Sequence, residues 1–282
     1  MQAKTDTRPA AGILAVFLGF LVASLVALWV VRPGVGSDAV RGPRVGPDLH
    51  ALHVSGDRVF VSGHDGAGYR DGSGAWTRIR SLDGKDAMGW ATTTGALLVG
   101  GHGGLYASSD SGESFVPSRA VVEGTDVHAL GAAGDIVYLS SPAKGVLVSA
   151  DGGDTFEARG VMPALMGTIT VSPDDPDRAV APDMQVGAVE TVDGGRTWAG
   201  LGGPAGASSV ARDPLDDRNL FVVTADGAAV SNDGGATWRP RQVPDGAASA
   251  TYTQTGDLVL AARRDNHAVT YQWVDDHWKS SD

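Results

Sequence analysis

From residue 47 onward, short apolar runs alternate with small clusters of glycine, aspartate, asparagine, serine and proline. The runs are about five residues long and rich in valine, leucine, threonine and aromatic residues, which predicts short β-strands separated by tight turns. One stretch shows the pattern clearly, with four runs in succession: Ser208–Arg212, Asn219–Thr224, Gly227–Ser231 and Thr237–Gln242. A second stretch repeats it at Val127–Ala132, Asp135–Ser140, Gly145–Ser149 and Thr155–Arg159.

Each copy of the four-strand group contains the same type of turn sequence between its third and fourth strands. The turn reads SSDSGESF, SADGGDTF, TVDGGRTW and SNDGGATW in four close copies, with weaker copies at residues 69–76 and 271–278. Its aspartates are Asp71, Asp110, Asp151, Asp193, Asp233 and Asp275, at intervals of 39 to 42 residues. A period near forty built from short strands is typical of propeller blades. The sequence therefore predicts an all-β fold, a six-bladed β-propeller of four-stranded blades over residues 47–282, or seven blades if the preceding segment adds strands.

A structural role in the turn explains each residue type of the repeat. The aspartate accepts hydrogen bonds from nearby backbone N–H groups, and the glycines allow positive φ. These residues resemble the Asp-box, or BNR repeat, of sialidases, sortilin-like receptors and photosystem-assembly propellers. The resemblance implies that the box is a structural turn far from any active site. The expected structural positions are Asp71, Asp110, Asp151, Asp193 and Asp233.

A different pattern occupies the N-terminus. Residues 11–31 form an uninterrupted uncharged stretch, AGILAVFLGFLVASLVALWVV, long enough to cross a bilayer as a helix. We expect a cytoplasmic N-terminus at residues 1–10, a transmembrane signal-anchor helix at 11–31 and a Gly/Pro/Arg-rich tether at 32–46. A cleaved secretion signal is the alternative. The signal-anchor reading predicts a single-pass protein of the cell membrane with its propeller on the extracytoplasmic side.

Charge and cysteine content exclude several classes of function. The chain has 22 lysines and arginines against 33 aspartates and glutamates, a net charge of −11, which disfavours nucleic acid as a partner. There are no cysteines, so disulfides, thiol catalysis and cysteine-based metal sites are excluded. Many of the carboxylates belong to the predicted turns, and their number does not by itself indicate cation binding.

The histidines suggest where ligands bind. His50 and His128 lie at the start of the innermost strands of blades 1 and 3, and Met88 occupies the same register in blade 2. His64 and His102 lie in glycine-rich loops after the second strands of blades 1 and 2. In a propeller these positions share one face, which we call the top. We therefore expect a ligand-binding mouth formed by His50, His64, Asp86, Met88, His102, Asp126 and His128.

Several ligands fit this set of side chains. Histidine and methionine bind copper or zinc, so His50, His64, Met88, His102 and His128 are candidate metal ligands, and the aspartates would orient the imidazole rings. The same groups would also hydrogen-bond a glycan or a protein segment. A purely structural role is the alternative, in which D-x-H-A-L (residues 48–52 and 126–130) only marks entry into a strand.

Enzyme activity is less well supported by the residues. Residues 47–240 resemble small bacterial proteins described as glycosyl-hydrolase-like, sialidase-like or BNR-repeat proteins, which suggests a glycosyl hydrolase. The Phe-Arg-Ile-Pro stretch of sialidases is missing, and only four glutamates occur in the chain. Asp86 and Asp126 are the remaining candidates for a catalytic carboxylate pair. The sequence thus favours a membrane-anchored binding or assembly module, with a sialidase-like glycoside hydrolase and a copper or zinc protein as alternatives.

Overall fold

A computed structural model describes residues 42–72, 74–120, 125–161 and 164–281 of the chain. The predicted cytoplasmic segment, the predicted span at 11–31 and all but the end of the predicted tether lie outside these residues. Within the described ranges, no helix combines the length and the apolar character needed to cross a bilayer. The described residues form an all-β structure of six successive sheets, each a blade of four strands with one extra strand on the third, which confirms the predicted six-bladed propeller.

Each blade is an antiparallel meander whose first strand is innermost. Blade 1 contains β1 (Leu49–Ser55), β2 (Arg58–Gly63), β3 (Gly66–Asp71) and β4 (Thr77–Arg78), followed by a short 3₁₀ turn at Arg80–Leu82. Blade 2 contains β5 (Gly89–Thr92), β6 (Leu97–Gly101), β7 (Gly104–Ser108) and β8 (Val116–Pro117). Blade 3 contains β9 (Ala129–Ala133), β10 (Ile136–Ser141), β11 (Gly145–Ser149) and β12 (Glu157–Gly160).

The other three blades follow the same order. A short strand, β13 (Gly167–Thr168), precedes blade 4, which contains β14 (Thr170–Val171), β15 (Ala179–Asp183), β16 (Gly187–Thr191) and β17 (Ala199–Gly200). Blade 5 contains β18 (Ala207–Arg212), β19 (Leu220–Thr224), β20 (Gly227–Ser231) and β21 (Arg239–Arg241). Blade 6 contains β22 (Ala247–Tyr252), β23 (Leu258–Arg264), β24 (His267–Val274) and β25 (His277–Ser280).

The core lies between the blades. Among the described residues, each of the six blade-to-blade interfaces has its own cluster of buried apolar side chains. Blades 1 and 2, for example, enclose Phe60, Tyr69, Trp90 and Phe115 with ring centroids 5.2–5.8 Å apart. Because alternate residues of a strand point to opposite faces, five of the six inner strands supply residues to two neighbouring clusters, and in blade 4 the second strand does so. The burial that stabilises one blade therefore depends on the blades at both sides.

The repeated turn has one geometry in blades 2 to 5. In blade 3 the Ser149 hydroxyl donates to Asp151 (2.7 Å) and accepts from the backbone N–H of Gly153 (2.9 Å). The Asp151 carboxylate then accepts from the backbone N–H and the hydroxyl of Thr155, at 2.9 and 2.6 Å. Equivalent bonds surround Asp110, Asp193 and Asp233. They account for the serine or threonine, aspartate and glycine of the repeat.

Blades 1 and 6 depart from this geometry. Tyr69 replaces the first serine in blade 1, so the Asp71 carboxylate pairs with Arg58 instead, at 2.6 Å. In blade 6 the hairpin between β24 and β25 is closed by Asp275 and Asp276, both at positive φ. That is the conformation of a two-residue type I′ turn. The weak sixth copy of the repeat therefore marks a hairpin of a different class.

The ring closes through residues just before blade 1. The backbone N–H of Val45 donates to the Asn266 carbonyl (2.9 Å), and that of Ala268 donates to the Pro43 carbonyl (3.0 Å). Arg44 thereby pairs in antiparallel fashion with His267 on the edge of β24 that carries β25. Residues 43–45 thus add to the outer edge of blade 6. The end of the predicted tether is part of the propeller, and it adds no seventh blade.

A second irregularity lies on the propeller axis. β13 pairs in parallel with β9 and also contacts β1, β5, β15 and β18. The Gly167 N–H donates to the His128 carbonyl (2.8 Å). A Cβ at Gly167 would lie 3.3 Å from the Ser208 carbonyl and 3.6 Å from that of His50. Gly167 therefore fills the centre of the ring beneath the residues that begin the innermost strands.

Candidate functional site

Six of the seven predicted mouth residues meet on the top face, and we call this group the histidine mouth: His50, His64, Asp86, His102, Asp126 and His128. Their nitrogen and oxygen atoms form two sets of three, His50 with His64 and Asp86, and His102 with Asp126 and His128. Within each set the potential ligand atoms lie within 4.8 Å of one another. Three neighbouring blades contribute, as the strand register requires.

The same backbone hydrogen bond positions these residues at two successive blade junctions. Where blade 1 meets blade 2, the backbone N–H of Ala87 donates to the Gly63 carbonyl (3.2 Å). Where blade 2 meets blade 3, the N–H of Val127 donates to the Gly101 carbonyl (3.0 Å). Each bond holds the aspartate that enters one blade against the histidine loop of the blade before it. Gly101 is needed there, because a Cβ would lie 1.6 Å from the Asp86 carbonyl oxygen.

The remaining two histidines are oriented by local backbone features. The pairing of β1 with β2 skips His50, which makes it the extra residue of a β-bulge. Bulges redirect side chains and are common beside functional sites. His128 is held at both of its backbone groups, since its N–H donates to the Ser140 carbonyl and its carbonyl accepts from Gly167, each at 2.8 Å. The axial strand β13 therefore forms the floor of the mouth at His128.

Asp86 is the common neighbour of three imidazole rings. One carboxylate oxygen, Oδ1, lies 2.9 Å from His50 Nε2. The other, Oδ2, lies 3.3 Å from His64 Nδ1 and 2.7 Å from His102 Nδ1. The Asp86 side chain is only 8% exposed, whereas those of His64 and His102 are half exposed. His102 and His128 also meet edge to face, with ring centroids 5.2 Å apart.

The contact between His50 and Asp86 is not aligned as a hydrogen bond. His50 Nε2 and Asp86 Oδ1 are both fully buried and face each other, yet their alignment does not meet hydrogen-bond geometry, and neither has another partner among the described residues. A buried polar atom without a partner is costly and calls for an explanation. Here the two atoms are an imidazole nitrogen and a carboxylate oxygen that face each other, which is how two ligands of one cation would be arranged.

Two groups of the mouth, Asp86 and His128, have pKa values shifted in the direction that favours cation binding. Burial raises the pKa of Asp86, but the contact with His50 and the charges of His50, His102 and His64 lower it more, so the pKa lies below its ordinary value. Burial and the neighbouring His102 lower the pKa of His128, against the opposite effect of Asp126 and Asp86. Asp86 is thus an anion and His128 a neutral imidazole at neutral pH.

The seventh predicted residue is Met88, and three histidines lie outside the predicted set. Met88 is buried, and its backbone N–H donates to the Gly100 carbonyl (2.7 Å). His267 and His277 begin β24 and β25 of blade 6, each with Nδ1 2.9 Å from a backbone carbonyl of the preceding turn. His53 lines a separate cavity of about 320 Å³, together with residues from the inner strands of the other blades. The buried Arg212 lines the same cavity, and the sequence pattern gave no reason to select either residue.

Solved structures similar to this chain are propellers. YCF48 bound to D1 peptide matches with a TM-score of 0.51 and 16% identity, over 69% of this chain and 66% of that one. A family 74 xyloglucanase from Xanthomonas campestris matches with a TM-score of 0.57 and 16% identity, over 86% of this chain and 46% of the enzyme. A family 74 enzyme from Niastella koreensis matches with a TM-score of 0.53 and 12% identity, over 83% of this chain and 53% of the enzyme.

These similarities establish the fold. The chain spans less than two thirds of the length of each of these proteins, and about half that of the family 74 enzymes. No family model and no curated protein matches the sequence. Function has to be argued from the mouth itself, because one fold hosts many functions.

Proposed function

We propose that this protein is a membrane-anchored binding module of the Asp-box propeller type, and that its histidine mouth binds a copper or zinc ion. The buried His50–Asp86 contact, 2.9 Å long but misaligned for a hydrogen bond, carries the proposal, because a cation between the two atoms would satisfy both. The predicted anchor at residues 11–31 would hold the mouth outside the cell, near the membrane surface.

The spacing of the mouth atoms fits such an ion. Tetrahedral zinc with ligands at about 2.0–2.1 Å separates neighbouring ligand atoms by roughly 3.3 Å. The His50–Asp86 and His64–Asp86 contacts, at 2.9 and 3.3 Å, are close to that separation. Imidazole nitrogen and carboxylate oxygen are both ligands of zinc, and imidazole suits copper as well. The half-exposed His64 and His102 leave the mouth open to solvent on its outer side.

Metal titration of the full chain tests this proposal. We expect the metal-stripped protein to bind Zn²⁺ or Cu²⁺ and to gain thermal stability as metal is added. The double variant His50→Ala/His128→Ala should lose affinity by more than roughly 100-fold, since each set keeps only two protein ligands.

A control variant separates the mouth from histidine content. His277→Gln removes an exposed histidine at the start of β25, whose Nδ1 contacts the backbone of its own hairpin, so the variant should bind metal as the unchanged chain does. Equal metal affinity in the double variant and the unchanged chain would refute a metal-binding mouth. The mouth would then remain a polar pocket, and peptide and glycan ligands would be screened next.

A peptide is the second candidate ligand. Its support is the YCF48 structure, which is described as bound to a peptide, together with the two exposed imidazoles at the rim. Glycoside hydrolysis has less support, although family 74 enzymes share the fold. Such catalysis ordinarily needs one carboxyl group with a raised pKa to protonate the leaving group. The pKa of Asp86 is shifted in the opposite direction.

A further inference from the structure

The two sets of ligand atoms are not independent, because one carboxylate touches both. Asp86 belongs to the first set with His50 and His64. Its Oδ2 atom also lies 2.7 Å from His102 Nδ1, which belongs to the second set with Asp126 and His128. The contacts of Asp86 are divided between its oxygens, with Oδ1 facing His50 and Oδ2 facing His64 and His102.

The repeat explains why there are two sets. At each blade junction, a loop histidine meets the entry aspartate of the next blade: His64 meets Asp86, and His102 meets Asp126. A third ligand comes from an innermost strand or its entry, His50 for one set and His128 for the other. Two successive junctions therefore build two similar half-sites side by side, and Asp86 lies at their boundary.

Building on the metal-binding function proposed above, we propose that the histidine mouth holds two transition-metal ions bridged by the Asp86 carboxylate. His50 and His64 bind one ion, and His102, Asp126 and His128 bind the other. Carboxylate bridges are suited to ion pairs about 3.5–4 Å apart, the spacing of two-metal sites. Each ion would have two or three protein ligands besides the bridge, leaving a position for solvent or an exogenous ligand.

The mutual repulsion of two cations is the main argument against such a site. Here the two aspartates offset two of the four charges, and the bridging carboxylate is almost entirely buried. Electrostatic attraction is stronger where water is excluded. The Asp86 carboxylate is therefore well placed to hold the two ions together.

Stoichiometry and magnetic coupling test the bridge in the full chain. We expect two Cu²⁺ ions per chain, with an electron paramagnetic resonance spectrum of coupled rather than isolated ions. His64→Gln and His128→Gln should each retain one ion with an uncoupled spectrum, because each removes a ligand of a different set. Both changes are at side chains with solvent contact, and thermal unfolding would confirm that the variants are folded.

A matched pair of aspartate variants isolates the bridge. Asp86→Asn should weaken both binding steps by at least tenfold, whereas Asp126→Asn should weaken only one. A single ion in the unchanged chain, weakened by every variant, would overturn the two-ion site while leaving the metal-binding function intact. Two ions with isolated spectra would overturn the bridge alone. A chain that binds neither copper nor zinc would overturn both proposals.

Discussion

At the scale of single residues, burial gives chemically identical side chains different properties. His53 stacks on Trp90, with an interplanar angle of 7°, and its Nε2 lies 2.7 Å from the Thr92 hydroxyl. Burial lowers the pKa of His53 to about 4. Its ring is neutral at neutral pH and belongs to the packing between blades 1 and 2. The half-exposed His64, eleven positions further along, is free to bind a ligand.

His53 should make stability depend on pH in a defined window. The unfolded chain takes up a proton at this histidine near its ordinary pKa of 6.5, whereas the folded chain does so only near 4. The free energy of unfolding should therefore fall as the pH drops from 6.5 towards 4, by at most about 3 kcal/mol. Urea denaturation at pH 7.5 and pH 5 measures this change.

The comparison that isolates His53 uses two variants. His53→Gln should show a smaller loss of stability between the two pH values, and His277→Gln, at the exposed start of β25, should behave as the unchanged chain. The same loss in all three proteins would mean that the dependence arises from other groups.

Residue types and register were enough to predict which side chains approach the mouth, but not how they meet. The sequence places His50 and His128 at equivalent positions of blades 1 and 3, and Asp86 at the entry to blade 2. It does not show that Asp86 lies at the boundary of two sets, because that depends on the twist and separation of adjacent sheets. The stacking of His53 on Trp90 was equally hidden, since Trp90 belongs to the next blade.

At the scale of elements, the repeat turn is a self-contained unit of hydrogen bonds. Hydrogen bonds from Thr155, Ser149 and the turn backbone lower the pKa of Asp151 to about 2, so its carboxylate is ionised throughout the usual pH range. Asp151→Ala should lower the melting temperature by about 2–4 °C, because several backbone and hydroxyl donors lose their acceptor. Differential scanning calorimetry measures the change.

Asp154 in the same turn provides the matched control. Its carboxylate makes no hydrogen bond or ion pair with any described residue, so Asp154→Ala should leave the melting temperature within about 1 °C of its original value. Equal effects of the two substitutions would show that the turn is stabilised by its backbone conformation and not by the Asp151 carboxylate.

The prediction of elements succeeded where the signal was local. The runs predicted at residues 145–149 and 227–231 coincide with β11 and β20, because glycine and the repeat turn mark their ends. The two residues of β13 have no such signal. Their strand character comes from parallel pairing with β9 across the axis, which no local pattern encodes.

At the scale of the whole molecule, the four strands of every blade come from one continuous stretch of the chain. The ring must therefore be closed by contacts between blades 1 and 6 and not by a blade shared between the chain ends. Two contacts achieve this. The Ser249 hydroxyl of blade 6 accepts from the backbone N–H of Leu52 in blade 1, at 3.0 Å. On the outer side, residues 43–45 pair with β24 and place Val45 in the apolar cluster between the same two blades. Closure therefore combines backbone pairing with burial of one apolar side chain.

Val45 should consequently contribute to the stability of the entire ring. It is fully buried with Leu49, Leu52 and Ala268, and Val45→Ala should lower the free energy of unfolding by about 1–3 kcal/mol. Val161→Ala makes the same chemical change at a side chain that is 82% exposed, and it should change stability by less than about 0.5 kcal/mol. Urea denaturation of the full chain compares them. If Val45→Ala lowers the free energy of unfolding as little as Val161→Ala does, closure relies on the contacts of β1 with β22 alone. If Val45→Ala lowers it by the larger amount and unfolding stays cooperative, the segment before blade 1 stabilises all six blades as one unit.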